Sequence, residues 1–429
     1  MTKVNIHIIG AGLAGLSSAV ALADGDAQIC LYESAKAAGG RCRSYFDAQI
    51  GMEIDNGNHL LLSGNRHALH YVETIGAADR LTQLPDARFP FIDLRNGRRW
   101  TLAPSQGTLP LWLLSRERRA PQTSLREHLS VMKLMWASAD VPIMQRMTCD
   151  GPLYENLTRP LLLAALNTDP ATASSALARQ VMRDTLAKGA HACRPIIARS
   201  GLSKALIEPA LDYLAQRNVT VEFAARLRGL SLDAHKARAL HFEKHSVELS
   251  KADLVILAVP PQTAQILLPG LVAPDAFNAI VNAHFAIKPP SSLPPITGVI
   301  GAKSEWLFAY DDRLSVTISA ASHLLGTPPE PLASDLWHEV SQIAGLNGAM
   351  PRWRILREKR ATFAATPEQN AKRPSALTAF SNVLLAGDWT ATGLPATIEG
   401  AVASGATAAA QARRLIGKAT VSKQKARIA

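Results

Sequence analysis

The segment Gly10-Ala11-Gly12-Leu13-Ala14-Gly15 follows a β-branched run at 4–9 and precedes an alanine-rich stretch at 16–23. A G-x-G-x-x-G spacing between a strand and a helix suits a dinucleotide pyrophosphate. Gly10 permits the tight turn, Gly12 lets phosphate approach the backbone, and Gly15 lets helix and strand pack closely, while the helix start offers free amides. Glu33 closes a second predicted strand at 28–32, eighteen residues after Gly15, where a carboxylate can accept from ribose hydroxyls and disfavours a 2′-phosphate. A second glycine turn, Gly39-Gly40-Arg41, then brings a guanidinium that can hold the same pyrophosphate, an element that NAD domains do not commonly need. The loop Asp55-Asn56-Gly57-Asn58-His59 reads as a further return of the chain to the cofactor.

Matching chemistry stands at the other end of the chain. A predicted strand at 382–386 runs into Gly387-Asp388-Trp389, and Ala396-Thr397-Ile398-Glu399 opens a small-residue helix reaching 412. The start of that helix can stabilise negative charge on a reduced flavin ring, and Asp388 can bond the ribityl or pyrophosphate region. Leu227 has the placement of a residue beside an adenine, reached through its backbone. The two ends together specify an FAD cradle, and no cluster of side chains suggests a metal.

Such a cradle needs a parallel sheet, so the expected class is α/β. It comprises a Rossmann-like FAD-binding domain, discontinuous over 1–70, 196–272 and 376–417, and a second, α+β substrate domain from 71–195 and 273–375. Residues 219–230 with 253–261 read as a hairpin-like excursion and a return strand. Residues 71–195 read as mainly helical, with patterns at 125–137 and 177–186 punctuated by prolines, and the runs 296–300, 306–310 and 314–319 read as antiparallel strands. A basic tail at 418–429 is expected to be disordered.

The chain has 429 residues, 47% hydrophobic and 19% charged, with a formal net charge of +11. No apolar stretch reaches the roughly 18 residues of a spanning helix, and 1–9 leaves no room for a secretion signal, so a cytoplasmic location is expected. Four cysteines without paired spacing fit reduced thiols. Aromatic residues are only 5% and not interleaved with the basic ones, which argues against nucleic acid as a partner. One basic cluster, Arg116, Arg118 and Arg119, follows the apolar run at 109–114 and suits peripheral attachment to an anionic membrane surface.

Over nearly its full length the chain resembles the amine-oxidase and phytoene-desaturase superfamily, and within it the hydroxysqualene dehydroxylase family. The internal segments that carry this resemblance are the 55–62 stretch, with Asn58 where that family usually has Gln, the segments 163–168 and 173–176, and 358–364 with Thr366-Pro367 and Arg373-Pro374. The resemblance implies FAD-dependent removal of the hydroxyl of hydroxysqualene to give squalene in hopanoid biosynthesis, and the insolubility of a C30 product then suggests collection of substrate at the inner face of the cytoplasmic membrane. It places Gly10 to Gly15, Glu33, Gly40, Arg41, Gly57, Asn58, Leu227, Gly387, Asp388 and Ala396 to Glu399 along the FAD. Losing hydroxide from an allylic alcohol needs a proton donor in a dry, apolar site, and His59 or Asp55 is the candidate. A polyene desaturase running the flavin in the oxidative direction shares the same cradle, and a flavin amine oxidase shares most of it. No second dinucleotide motif identifies the electron donor.

Overall fold

The computed structural model describes residues 4–136 and 139–417, with the backbone of the last helix traced to 428. The expectation for the tail at 418–429 falls on residues whose side chains lie outside this range.

Five strands form a parallel sheet in the order 220–222, 28–32, 5–9, 254–257, 383–385. Its middle strands are near-continuous apolar runs because both faces are covered, one by helices and the other largely by an antiparallel meander, leaving no position for alternation. Helix α1 (Leu13–Leu22) leaves the first strand through the glycine turn and is buried on nearly every side. The glycine spacing explains how it sits so close: a Cβ at Gly15 would lie 1.8 Å from the Gly10 carbonyl oxygen.

The far end of the chain closes over α1. Helix α2 (Arg66–Thr74) and helix α4 (Ile398–Ile428) lie against it, with helix α3 (Arg159–Leu166) in the second half of the molecule. Small residues let α4 approach: a Cβ at Gly405 would meet the Ala14 carbonyl at 2.3 Å, and the Ser17 hydroxyl donates to the Val402 carbonyl at 2.9 Å. Residues nearly 400 positions apart are thereby fixed side by side.

After the edge strand at 220–222 comes an antiparallel meander of 227–232, 237–242 and 246–248, and the chain returns through 254–257 as the spacing predicts. A seven-stranded sheet, in the order 353–363, 277–285, 314–318, 306–309, 296–300, 89–93, 98–102, forms the other half of the molecule. The expected antiparallel strands at 296–300, 306–309 and 314–318 are its centre. The mainly helical expectation for 71–195 needs correction, because Phe89–Asp93 and Arg98–Leu102 form a hairpin on the edge of this sheet. Its turn carries Asn96-Gly97, a strong hairpin signal. The signal is masked because Arg98 and Arg99 on the outer strand are exposed and read as loop.

Among the described residues no helix is long and apolar enough to cross a membrane, and all four cysteines are free.

Candidate active site

A cavity of about 1380 Å³ lies between the two halves. That exceeds the roughly 300–1,000 Å³ of an ordinary small-molecule site and leaves room for more than one occupant. From the amino end it is lined by Gly10, Gly12, Leu13, Ala14, Glu33, Gly40 and Arg41, then by Gly57, Asn58 and His59. The far end contributes Gly387, Asp388, Ala396, Thr397, Ile398 and Glu399, and the meander contributes Leu227. Of the expected cofactor residues, Ala11 and Gly15 do not line it: both are packed behind the turn, where Gly15 sets the helix and Ala11 donates its amide to Glu33 at 2.8 Å.

The cradle fits a pyrophosphate. Gly10 takes φ +106°, which few side chains tolerate, and the N-terminus of α1 opens on the cavity with no side chain capping it. A Cβ at Gly12 would meet no protein atom within 4 Å, so the space in front of those amides is open to a ligand. On the opposite wall the start of α4 supplies a second positive helix end.

Three expected contacts are engaged within the protein. Glu33 accepts from the Ala11 amide at 2.8 Å and the Ala35 amide at 2.8 Å, so its carboxylate is anchored facing the second strand's end before any ribose arrives. Arg41 points at Asp388, at 2.8 Å, and at the Ala361 carbonyl, while 46% of its side-chain surface remains exposed where it lines the cavity. This pair ties the second glycine turn to the 387–389 loop. Glu399 is among the lining residues, while its carboxylate caps α2 by accepting from the His67 amide at 3.0 Å and the Ala68 amide at 2.8 Å. We expect Glu399→Ala to lower the melting temperature by the equivalent of about 1 kcal/mol, the usual worth of a cap, measurable by calorimetry. Arg373, which the motif reading left without a role, is buried and binds the Asp388 carbonyl at 3.2 Å and the Thr390 carbonyl, so it holds the shape of the 387–392 loop. Burial pushes its pKa down to about 10, with Asp388 opposing, and it stays charged at neutral pH.

The two expected proton donors fare differently. His59 lines the cavity, but burial, reinforced by the Arg41 charge, pushes its pKa down to about 4. Burial and the Arg41 charge therefore favour the neutral imidazole, which carries a single N–H. Asp55 does not reach the cavity at all. It is 2% exposed and accepts from the Ser44 hydroxyl at 2.6 Å and the Leu202 amide at 2.8 Å, with Arg313 at 3.6 Å. Burial raises its pKa against those partners. Asn58 between them donates to the Thr317 hydroxyl at 2.9 Å and accepts from the Tyr310 hydroxyl at 3.2 Å, fastening the loop to the seven-stranded sheet.

The same cavity is walled by Phe89, Leu102, Trp112, Leu153, Leu157, Trp306 and Phe308. Motifs could not reveal these residues, since each is an ordinary core hydrophobe until the sheets and helices bring them to one chamber.

The family model for the flavin containing amine oxidoreductases matches residues 13–413. The hydroxysqualene dehydroxylase of Rhodopseudomonas palustris is 52% identical over 405 residues, covering 94% of this chain and 97% of that protein. The enzyme of the same name from Sinorhizobium fredii is 48% identical with the same coverage. Among solved structures, cyclohexylamine oxidase from Brevibacterium oxydans superposes with a TM-score of 0.67 at 16% identity, covering 96% of this chain and 99% of that one, and shares the fold. The cradle, the closure of both chain ends over it and these similarities agree: the chain belongs to the flavin containing amine oxidoreductase family, among its hydroxysqualene dehydroxylases, and is an FAD-dependent oxidoreductase.

Proposed function

We propose that the protein reductively removes the hydroxyl of hydroxysqualene to give squalene. The observation that carries this reading is one cavity that joins an uncapped glycine cradle to a chamber of aromatic and aliphatic walls. Gly10, Gly12, Leu13, Ala14, Gly40 and Arg41 would hold the pyrophosphate end of FAD, Glu33 and Leu227 the adenosine end, and Gly57, Asn58, Asp388 and the Ala396 to Ile398 turn the flavin end. When bound, FAD supplies the hydride. The protein's own part is to seat the polyprenyl chain, keep water from recapturing an allylic cation, and deliver one proton to the departing oxygen. The neutral His59 suits an apolar wall that must not stabilise a competing positive charge. Residues 1–70, 196–272 and 376–417 act as the FAD-binding domain, and 71–195 with 273–375 as the substrate domain. The decisive assay is product analysis: reduced holoenzyme with hydroxysqualene under anaerobic conditions should yield squalene, and the oxidised enzyme with squalene should yield no more-unsaturated product. A desaturase would give the reverse pattern.

A C30 hydrocarbon needs a route from a bilayer, and the 109–114 run supports one. Leu109, Leu111 and Leu114 are 67%, 59% and 67% exposed, while Pro110, Trp112 and Leu113 of the same run line the cavity. Arg116 and Arg118 lie exposed just beyond. Apolar anchors beside cations favour an anionic membrane surface. Co-sedimentation with anionic liposomes should fall about tenfold in a Leu111→Asp, Leu114→Asp double variant that keeps its flavin; unchanged sedimentation rejects attachment through this run.

A further inference from the structure

A second, smaller cavity of about 260 Å³ stands on the other side of α3. Arg159, Pro160 and Leu163 of this helix face the small cavity, whereas Leu161, Leu162, Ala164 and Ala165 face the large one. Where the strand 314–318 ends, Glu305 and Ser319 line the two cavities from opposite sides. Glu305 faces the small cavity, Ser319 the large one, and the Ser319 amide donates to Glu305 Oε2 at 2.7 Å.

We propose that Glu305, acting through the Ser319 hydroxyl, relays a proton from the small cavity to the hydroxyl that leaves the substrate. The proposal rests on the dehydroxylase reading above, which requires an acid at the large cavity, a wall to which Asp55 does not contribute. The Glu305 O–H bond breaks as its proton passes to Ser319, and the Ser319 proton passes to the substrate oxygen. The C–O bond then breaks, water departs, and the allylic cation takes the hydride supplied by reduced flavin. The Glu305 carboxylate regains its proton from solvent through the small cavity, so protons and electrons balance over one turnover.

Further observations support this placement. Burial pushes the Glu305 carboxyl up to about 7, against the Ser319 amide and side chain and the Arg159 charge, all of which favour the carboxylate. A general acid works best with a pKa near the working pH. The other charged or titratable groups around the small cavity are Glu155, Lys303 and His323. Glu155 pairs with Arg95 at 3.3 Å and Lys303 pairs with Asp335, so neither competes directly for the Glu305 carboxyl. Glu305 acts through Ser319 and is therefore a relay residue that does not itself touch the substrate.

Wild-type holoenzyme should lose turnover as pH rises through about 7, since the relay needs the protonated carboxyl. Glu305→Gln should lower kcat about 100-fold, within the usual range for a positioned acid, and remove that alkaline limb. Ser319→Ala keeps the amide bond and removes the hydroxyl, so it should give the same loss without loss of flavin, and Glu305→Asp should restore part of the rate. Independently of turnover, difference infrared titration of the holoenzyme should show a protonated-carboxyl band that disappears near pH 7 and is missing in Glu305→Gln. If wild type makes squalene while Glu305→Gln and Ser319→Ala keep its rate and pH profile, the relay is overturned. If wild type makes no squalene, the functional reading fails, and the infrared band decides the relay alone: a Glu305 carboxyl titrating in the ordinary carboxylate range overturns it.

Discussion

Gly12→Ala should give a protein that folds with wild-type stability and comes off the column colourless, whereas Gly15→Ala should lose both flavin and stability. The two glycines sit three residues apart in one motif, yet the physics differs. Gly12 has φ −75° and ψ 177°, which alanine adopts freely, and its added Cβ would touch no protein atom within 4 Å. The methyl group therefore costs the empty fold nothing and occupies the approach of a phosphate to the α1 amides. Losing two charge-assisted hydrogen bonds at about 1.5 kcal/mol each corresponds to roughly a 100-fold weaker flavin affinity. At Gly15 the same methyl would lie 1.8 Å from the Gly10 carbonyl oxygen and 3.3 Å from the Ala258 Cβ, so helix and strand must separate. Overpacking of this kind costs about 1–3 kcal/mol, and moving α1 also spoils its contact with α4. Flavin absorbance per protein and calorimetric melting separate the two outcomes.

The second large effect is expected at Asp55. Asp55→Ala should destabilise the protein by about 3 kcal/mol, the lower part of the range for breaking a buried ion pair, and Asp55→Asn by much less. Alanine leaves the Leu202 amide without its acceptor and removes the buried carboxylate that stands 3.6 Å from Arg313, which is only 5% exposed. The loss stays at the lower end because Asp312 keeps an ion pair to Arg313 at 3.0 Å and Tyr310 lies 4.0 Å beneath the guanidinium. Asparagine retains an acceptor oxygen for Ser44 and Leu202. Were Asp55 the acid, Asp55→Asn would instead abolish turnover in a protein of normal stability, so denaturation midpoints read beside rates decide between the roles.

The glycine turn was legible because its function constrains spacing and residue type together, and the same holds for Gly387-Asp388 and the small-residue helix after it. Alternating strands at 296–318 were legible because one face packs on the sheet's helix, Pro329–Ala344, and the other on the cavity. The hairpin at 89–102 was not, since an exposed edge strand loses the alternation that marks a strand. Roles of single carboxylates were the hardest to read. Glu33, Glu399 and Asp55 all stand in motif segments, but what each does depends on which backbone amides the tertiary fold aims at it. Glu305 stands in no motif; its position between two cavities arises only when α3 packs across the end of the seven-stranded sheet.

The central claim is that flavin held by both chain ends gives its electrons to an allylic alcohol in the adjoining chamber. An anaerobic single turnover tests it most directly: photoreduced holoenzyme is mixed with hydroxysqualene, flavin absorbance is followed, and the quenched mixture is extracted. The account predicts that the oxidised flavin spectrum returns and that squalene appears in equal molar amount, with neither change in Gly12→Ala. A flavin that stays reduced in the presence of hydroxysqualene, or reoxidises without squalene, would contradict it.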